Sequence, residues 1–395
     1  MAWNSIVSFN ESSPFYFFSV VSGCSVALGA AIARRLTSPK PRIVPSASPA
    51  TEPSPGVPKR SGNPAPPGMY APPRGDVRIA VISDLNSQYG STTYEPEVIK
   101  AVELIPQWEP DLVLCSGDMV AGQYPSLTEP EIKAMWEGFD RNVAAPLRAA
   151  KLPYGFTLGN HDASSARGLS GNFLFQTERD LAAAYWRDPS HPTGLNFIDR
   201  GDFPFYYSFQ QGDVFFLTWD ATGNIVDPQQ IEWAEQSLAS AVAQNAKVRI
   251  VVGHLPLYAI TYGREFPGEY LDRAEELRAL MEKYRVHTYI SGHDHAYYPA
   301  HKGKLELLNM GILGSGVRQL LNGNSPLMKA MTIIDIKTDS DTVNYTTYNM
   351  RSLKVIELAE LPRLIATPTG QIYRLDVNES DLTEAEKALK FIPTY

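Results

Sequence analysis

Cysteine is scarce in this chain, and so is surplus positive charge. The 395 residues include two cysteines: Cys24 lies in an apolar N-terminal run and Cys115 in the apolar stretch Leu112-Val113-Leu114-Cys115. One belongs to a candidate membrane segment and the other to a candidate core strand. That argues against an intramolecular disulfide and leaves the redox compartment open. The formal net charge is −8, and there is no Lys/Arg-rich stripe. Both features count against the broad basic footprint of a nucleic-acid binder, so no nucleic acid is expected as a partner. They do not count against a small phosphorylated substrate, because a metal cluster can be locally cationic inside an acidic protein. No internal repeat is present.

Residues 1–14 form a polar N-terminus. Residues 15–33 are mostly apolar and uncharged, bounded by Glu11 and by Arg34-Arg35. Nineteen residues as a helix span roughly 28 Å, enough to cross a bilayer core. Ser19, Ser22, Gly23 and Ser25 weaken the signal, but the expectation is membrane association through this segment. Arg34, Arg35, Lys40 and Arg42 follow the run and no basic residue precedes it, which by the positive-inside rule puts the C-terminal bulk in the cytoplasm. Ala31-Ile32-Ala33 could instead serve as a signal-peptidase site, and Val21-Ser22-Gly23-Cys24 resembles a loose lipoprotein box. The reading favours a retained anchor and leaves the side unresolved, periplasmic or extracellular if the segment is an export signal. Residues 34–76, dense in Pro, Ser and Ala, read as a semi-extended spacer.

From residue 77 the patterning is that of a core-forming domain. Val77 to Ser83 reads as a central strand, followed by Asp84-Leu85-Asn86. Val98, Val102 and Ile105 mark a helix face. Asp111 to Ser116 is the next strand, ending in Gly117-Asp118. Thr128 and Glu131 form a capping-box pattern that opens a helix. This βαβα order favours a partly parallel sheet. Tyr154 to Leu158 reads as a buried strand running into Gly159-Asn160-His161-Asp162. Residues 163–204 break up into Gly, Ser, Asn and Pro and are expected to form a cap-like insertion. Phe205 to Phe209 and Val214 to Trp219 read as a hairpin. Asp227-Pro228 starts another helix. Val248 to Val252 ends in Gly253-His254, and Val286 to Ser291 ends in Gly292-His293-Asp294-His295. Strands are expected near 305–309, 331–336 and 342–348, closing a domain over 77–352. Residues 353–395 are a weakly patterned extension to which no function is assigned.

Polar groups therefore follow strand after strand: Asp84 with Asn86, Asp118, Asn160 with His161 and Asp162, His254, then His293 and His295. Four of the seven histidines are in this set. Imidazole, carboxylate and amide oxygen together suit Mn, Fe or Zn better than Ca. Two neighbouring divalent ions repel one another, so an anionic ligand must lie between them, and Asp118 is the natural bridge. Asp84 adds a second negative charge, while Asn160 and the histidines bind without one. The cluster then keeps a net positive charge, which holds phosphate oxygens and acidifies a bridging water.

The ordered set Asp84-x-Asn86, Gly117-Asp118, Gly159-Asn160-His161-Asp162, Gly253-His254 and Gly292-His293-Asp294-His295 resembles the calcineurin-like metallophosphoesterase superfamily over about residues 77–350. The hairpin at 205–219 with Gln230-Ile231-Glu232-Trp233 is similar to the purple-acid-phosphatase and cyclic-nucleotide-phosphodiesterase branches. The resemblance implies an α+β fold: a four-layer α/β/β/α sandwich. One metal would take Asp84, Asp118 and His295, the other Asp118, Asn160, His254 and His293. His161 would face the leaving-group oxygen, with Asp162 orienting its ring. Two departures stand out. The family's first motif is usually Asp-x-His, and position 86 is Asn, which could coordinate through its amide oxygen or point away. The tyrosine that purple acid phosphatases carry three residues after the Gly-Asp aspartate is replaced by Ala121, so no iron-tyrosinate is expected.

The expected activity is hydrolysis of a phosphate mono- or diester by attack of a metal-bound hydroxide, with two divalent ions, Mn or Fe favoured and Zn possible. The alternatives are a metal-poor pseudoenzyme that binds a phosphorylated ligand or protein, and a DNA-processing nuclease of the same superfamily. His287 reads as a core histidine and His191 and His301 as surface residues. Arg167 and Arg264 are candidate phosphate clamps. Tyr258, Tyr262, Tyr297 and Tyr298 either line the pocket or pack. The sequence leaves the substrate and the oligomeric state open.

Overall fold

The structure, a computed structural model, describes residues 62–321, 323 and 325–393. The expected membrane segment at 15–33 and most of the spacer lie outside the described residues. Among the described residues, no helix is long and apolar enough to cross a membrane.

Among the described residues, fifteen strands build two sheets. In chain order they are β1 (Val77–Ile82), β2 (Leu112–Cys115), β3 (Tyr154–Phe156), β4 (Asn196–Asp202), β5 (Tyr206–Gln211), β6 (Val214–Thr218), β7 (Val248–Val252), β8 (Thr288–Ser291), β9 (Tyr298–Lys302), β10 (Leu305–Asn309), β11 (Ala330–Lys337), β12 (Thr342–Asn349), β13 (Lys354–Val355), β14 (Leu364–Thr367) and β15 (Gly370–Arg374). The first sheet runs β13-β12-β11-β1-β2-β3 and the second β14-β15-β9-β10-β8-β7-β6-β5-β4. Strands β1, β2 and β3 are mutually parallel, as are β6, β7, β8 and β10. Their residues are buried along the strand, as sheets covered on both faces require. Parallel strands bring their carboxyl ends to one edge, and that shared edge positions the site.

The sheets meet through aromatic side chains. Tyr207 of β5 donates its hydroxyl to the Phe156 carbonyl of β3 (2.6 Å) and accepts from the Phe156 N–H (3.0 Å). A Cβ on Gly155 would come within 2.8 Å of the Phe209 ring, so the close approach of the layers requires glycine there. The capping box is formed, the Thr128 N–H donating to the Glu131 carboxylate (2.8 Å) ahead of helix Glu129–Phe139. Asp227 caps helix Pro228–Ala239 by accepting from the Gln229 N–H (2.9 Å).

Three boundaries differ from the sequence expectation. The end of the spacer belongs to the domain. Buried Arg78 pairs with Asp335 (2.8 Å) across β1 and β11, and its other nitrogens donate to the Pro64 and Pro72 carbonyls. A buried guanidinium must satisfy all its donors, and the chain at 64–72 supplies the acceptors. The segment 163–204 is largely framework rather than cap. Its helix Gln176–Arg187 stacks Trp186 on Phe156 (3.9 Å) and Tyr185 on Trp136 (4.9 Å), and β4 closes one edge of the second sheet. The glycines and prolines that suggested an irregular cap flank the helix. Finally, β14 and β15 form a hairpin that pairs with β9 and extends the second sheet.

Candidate metal centre

Every loop singled out in the sequence leaves the carboxyl end of a parallel strand. Asp84 and Asn86 follow β1, Asp118 follows β2, Asn160, His161 and Asp162 follow β3, His254 follows β7, and His293 and His295 follow β8. Asp84, Asp118, His293 and His295 adopt left-handed backbone conformations, with φ of 49, 55, 67 and 55°. Such conformations cost energy outside glycine, and they concentrate where side chains must be aimed. The preceding glycines give these side chains room. A Cβ on Gly117 would lie 2.6 Å from His254 Nδ1, and one on Gly159 would collide with the Asp118 carboxylate.

Ligand atoms of Asp84, Asp118 and His254 lie within 4.8 Å of one another, all three residues buried. His254 Nδ1 faces the Ser116 carbonyl (2.8 Å), which can only accept, so this nitrogen carries the proton. Its Nε2 then turns toward Asn160 Oδ1 (2.9 Å) and Asp118 Oδ2 (3.3 Å). His293 repeats the pattern. Its Nε2 faces the Glu269 carboxylate (3.0 Å) and its Nδ1 the same Asn160 Oδ1 (3.0 Å). On the other side, His295 Nδ1 faces the Gly316 carbonyl (2.9 Å) and Nε2 lies 3.4 Å from Asp84 Oδ1. Among the described residues, Asp118 Oδ2 and His295 Nε2 are buried with no hydrogen-bond partner. Lone pairs thus converge with no proton between them, an arrangement that a cation satisfies and an empty apolar cavity does not. The donor set of carboxylate, imidazole and amide oxygen fits divalent transition metals.

The electrostatics agree. Burial alone would raise the Asp118 carboxyl, but His254 and His161 outweigh it and hold it below the usual carboxylate range. Burial opposes charge on His254, yet the Asp118 carboxylate pushes that imidazole up to about 9. His293 is lowered well below its ordinary value by burial and by Arg264.

One role implied by the resemblance changes in the structure. Asp162 does not orient the His161 ring. Its carboxylate accepts the backbone N–H groups of Met119 (2.8 Å), Val120 (2.9 Å) and Gly159 (2.8 Å), tying the β2 and β3 loops together. The ring is set instead by the Gly122 carbonyl at Nδ1 (2.9 Å), which leaves Nε2 3.9 Å from Asp118 Oδ2. Asn86 is buried beside the cradle, its N–H donating to the Asp118 carbonyl (3.2 Å) and its carbonyl accepting from Ser315 N–H (3.1 Å).

Several supporting residues were not found from the sequence. Glu269 sets His293. The Gln123 amide oxygen accepts from Asn160 Nδ2 (2.6 Å) and so turns Asn160 Oδ1 inward, while the Ser83 hydroxyl bonds Asp84 Oδ2. Glu269 and Gln123 lie outside the motifs, so only the tertiary fold reveals them; Ser83 directly follows β1 beside Asp84. Of the candidate clamps, Arg264 pairs with Glu269 next to the site, whereas Arg167 lies over Phe173 and bonds the Gly171 carbonyl. Tyr258, Tyr297 and Tyr298 are buried packing residues, and Tyr262 is exposed. His287 is half-buried beside Glu306 rather than in the core.

Carboxylates, imidazoles and an amide gathered at the ends of two parallel strand sets define a dinuclear metallohydrolase type of site. The model of the calcineurin-like phosphoesterases matches residues 77–297, and the chain belongs to that family. Probable purple acid phosphatase 20 of Arabidopsis thaliana is 26% identical over 232 residues, 57% of this chain and 47% of its own length. The chain thus spans about half the length of that curated relative. The structure of purple acid phosphatase PPD1 from yellow lupin (Lupinus luteus) seeds is similar in fold. Its TM-score is 0.53 at 17% identity, with 71% of this chain and 52% of that chain covered.

Proposed function

We propose that this chain hydrolyses a small phosphate mono- or diester at the cradle formed by Asp84, Asn86, Asp118, Asn160, His254, His293 and His295. The observation that carries the reading is the close approach of His254 Nε2 to Asp118 Oδ2 (3.3 Å), of His254 Nε2 and His293 Nδ1 to Asn160 Oδ1 (2.9 and 3.0 Å), and of His295 Nε2 to Asp84 Oδ1 (3.4 Å). Bound there, two divalent cations, Mn or Fe before Zn for this donor set, would neutralise phosphate charge and acidify water. Asp118 would be the residue that both ions draw on, and Asn86 would join Asp84 and His295 in holding one of them.

His161 faces the ester oxygen that leaves. Its Nδ1 is committed to the Gly122 carbonyl, so proton transfer takes place at Nε2. Burial lowers the ring's proton affinity, with Asp118 opposing. The negative charge of an arriving phosphate raises it again, so substrate binding itself favours the protonated, donating ring. Residues 15–33 tether the domain to a membrane in this reading, supported by the length of the apolar run and its flanking arginines. Fractionation of the full chain, with extraction by detergent but not by salt, tests the tether. Metal analysis of purified protein, with turnover of an aryl phosphate under Mn, Fe and Zn, tests the activity. Protein that takes up no metal and shows no turnover, yet still binds a phosphorylated ligand, would point to the pseudoenzyme.

A further inference from the structure

Two exposed tyrosines flank the cradle, and the chemistry above does not use them. Tyr89 is 59% exposed and Tyr124 48% exposed. Their rings nevertheless stack, with centroids 5.3 Å apart and planes 20° from parallel, and the Tyr89 ring lies 5.4 Å from the His161 ring. Both stand on the loops that carry the ligands: Tyr89 is three residues after Asn86, and Tyr124 is six after Asp118.

The backbone holds the pair in place. The Gly90 N–H donates to the Ala121 carbonyl (2.8 Å), joining the two loops next to the rings. Gln123 is held at φ 64° with its N–H on the buried Glu178 carboxylate (2.8 Å), and the Leu127 N–H closes a turn on the Tyr124 carbonyl (3.0 Å). A stacked pair on a braced backbone, open to solvent beside a catalytic histidine, is a preformed platform for another ring, and little side-chain freedom remains to be lost on binding.

We propose that Tyr89 and Tyr124 form the subsite for the alcohol side of the ester, and that this subsite takes a planar aromatic group, an aryl ring or a nucleobase. The proposal rests on the reading of His161 as the group facing the leaving oxygen. His161 neighbours both groups, its Nε2 3.9 Å from the Asp118 carboxylate and its ring 5.4 Å from the Tyr89 ring. A phosphoryl group in the cradle with its ester oxygen toward His161 therefore directs whatever lies beyond that oxygen to the tyrosines. The platform presents ring faces and no ionic group, so it selects by stacking rather than by charge.

The test uses the full chain, metal-loaded, with phenyl phosphate, adenosine 5′-monophosphate and glycerol 2-phosphate. Each substrate is compared with itself in the wild type, so leaving-group reactivity cancels. Tyr89→Leu should lower kcat/KM for at least one aromatic ester relative to glycerol 2-phosphate by about three- to tenfold, mostly through KM, the scale of one aromatic stacking contact. Tyr89→Phe should restore the ratio. A loss on phenyl phosphate alone places the ring directly on the ester oxygen, and a loss on the nucleotide alone places it beyond a ribose. By calorimetry, phenylphosphonate should bind more weakly to Tyr89→Leu than to wild type, relative to methylphosphonate. Equal losses on all three esters, or none on either aromatic one, overturn the subsite while leaving the esterase reading intact. A metal-loaded wild type that cleaves none of the three, and no aryl phosphate diester such as bis(4-nitrophenyl) phosphate, overturns the esterase reading, and the calorimetric arm then decides the platform alone.

Discussion

The two halves of the cradle are built differently. In the half made by Asn160, His254 and His293, all three side chains are neutral ligands. Each has its outer atom fixed, by Gln123, Ser116 and Glu269 respectively, so that its inner atom points to a common centre. In the half made by Asp84, Asn86 and His295, a carboxylate supplies charge. One of its oxygens is occupied by the Ser83 hydroxyl, and asparagine stands where the family usually has histidine. One half is organised by direction and the other by charge, with Asp118 between them. A cation in the first kind of site would bind more weakly when a supporting contact goes.

Asp118 belongs to both halves, so its loss has the largest effect. Asp118→Asn keeps the shape and removes the shared negative charge. Metal content should fall in both halves, and turnover by roughly 10⁴-fold or more, the scale on which a central member of a catalytic unit acts. If the variant retained one full equivalent of metal and near-normal rate, the two halves would not share a ligand. His161→Ala is next. Both halves should stay loaded, since the ring holds no position in either, while kcat drops by roughly 10²- to 10⁴-fold. Metal loss in place of rate loss would make His161 a ligand and redraw the comparison.

Much of this comparison was legible in the sequence, because chain order and strand ends fix it. An apolar run, a glycine and a polar residue describe Asp118 and His254 without coordinates, and the structure puts Asp84, Asp118 and His254 within 4.8 Å of one another. What was not legible depends on residues distant in sequence. Glu269 reaches His293 from a loop of Gly and Pro, Arg78 finds Asp335 across 257 positions, and Asp162 turns to backbone amides that no side-chain pattern encodes. Helix Gln176–Arg187 was hidden because its short polar flanks resemble loop and its apolar face is aromatic, Tyr185 and Trp186 packing where Leu would give a plainer period.

Smaller changes separate the halves directly. Glu269→Gln weakens the acceptor behind His293 and should lower metal affinity in the neutral half by about tenfold, with the charged half unmoved. Asn86→His should act oppositely, tightening the charged half by restoring a nitrogen donor. Competition with a chelator, followed equivalent by equivalent, distinguishes the two. If Asn86→His left both equivalents unchanged, position 86 would face away from the metal.

The smallest effect concerns the scaffold behind the neutral half. Glu178 is buried and accepts from the Gln123 N–H, and Gln123 in turn sets Asn160. Burial pushes its carboxyl up to about 7 from an ordinary 4.5, with the Gln123 amide drawing it down less strongly. A raised carboxyl means that the folded chain binds a proton the unfolded chain has already released. The stability from this group is therefore complete below pH 4.5 and is lost as pH rises through 7. Glu178→Gln keeps an oxygen for the Gln123 N–H and has no proton to lose. In metal-free protein its Tm should fall less than that of wild type between pH 5 and pH 8.5, the curves separating by roughly 2–5 °C at the alkaline end. Metal binding in the neutral half should be unchanged, because the contact that turns Asn160 survives. Parallel Tm curves would mean that Glu178 ionises in the folded chain without penalty, and that the brace behind Asn160 depends on the hydrogen bond alone.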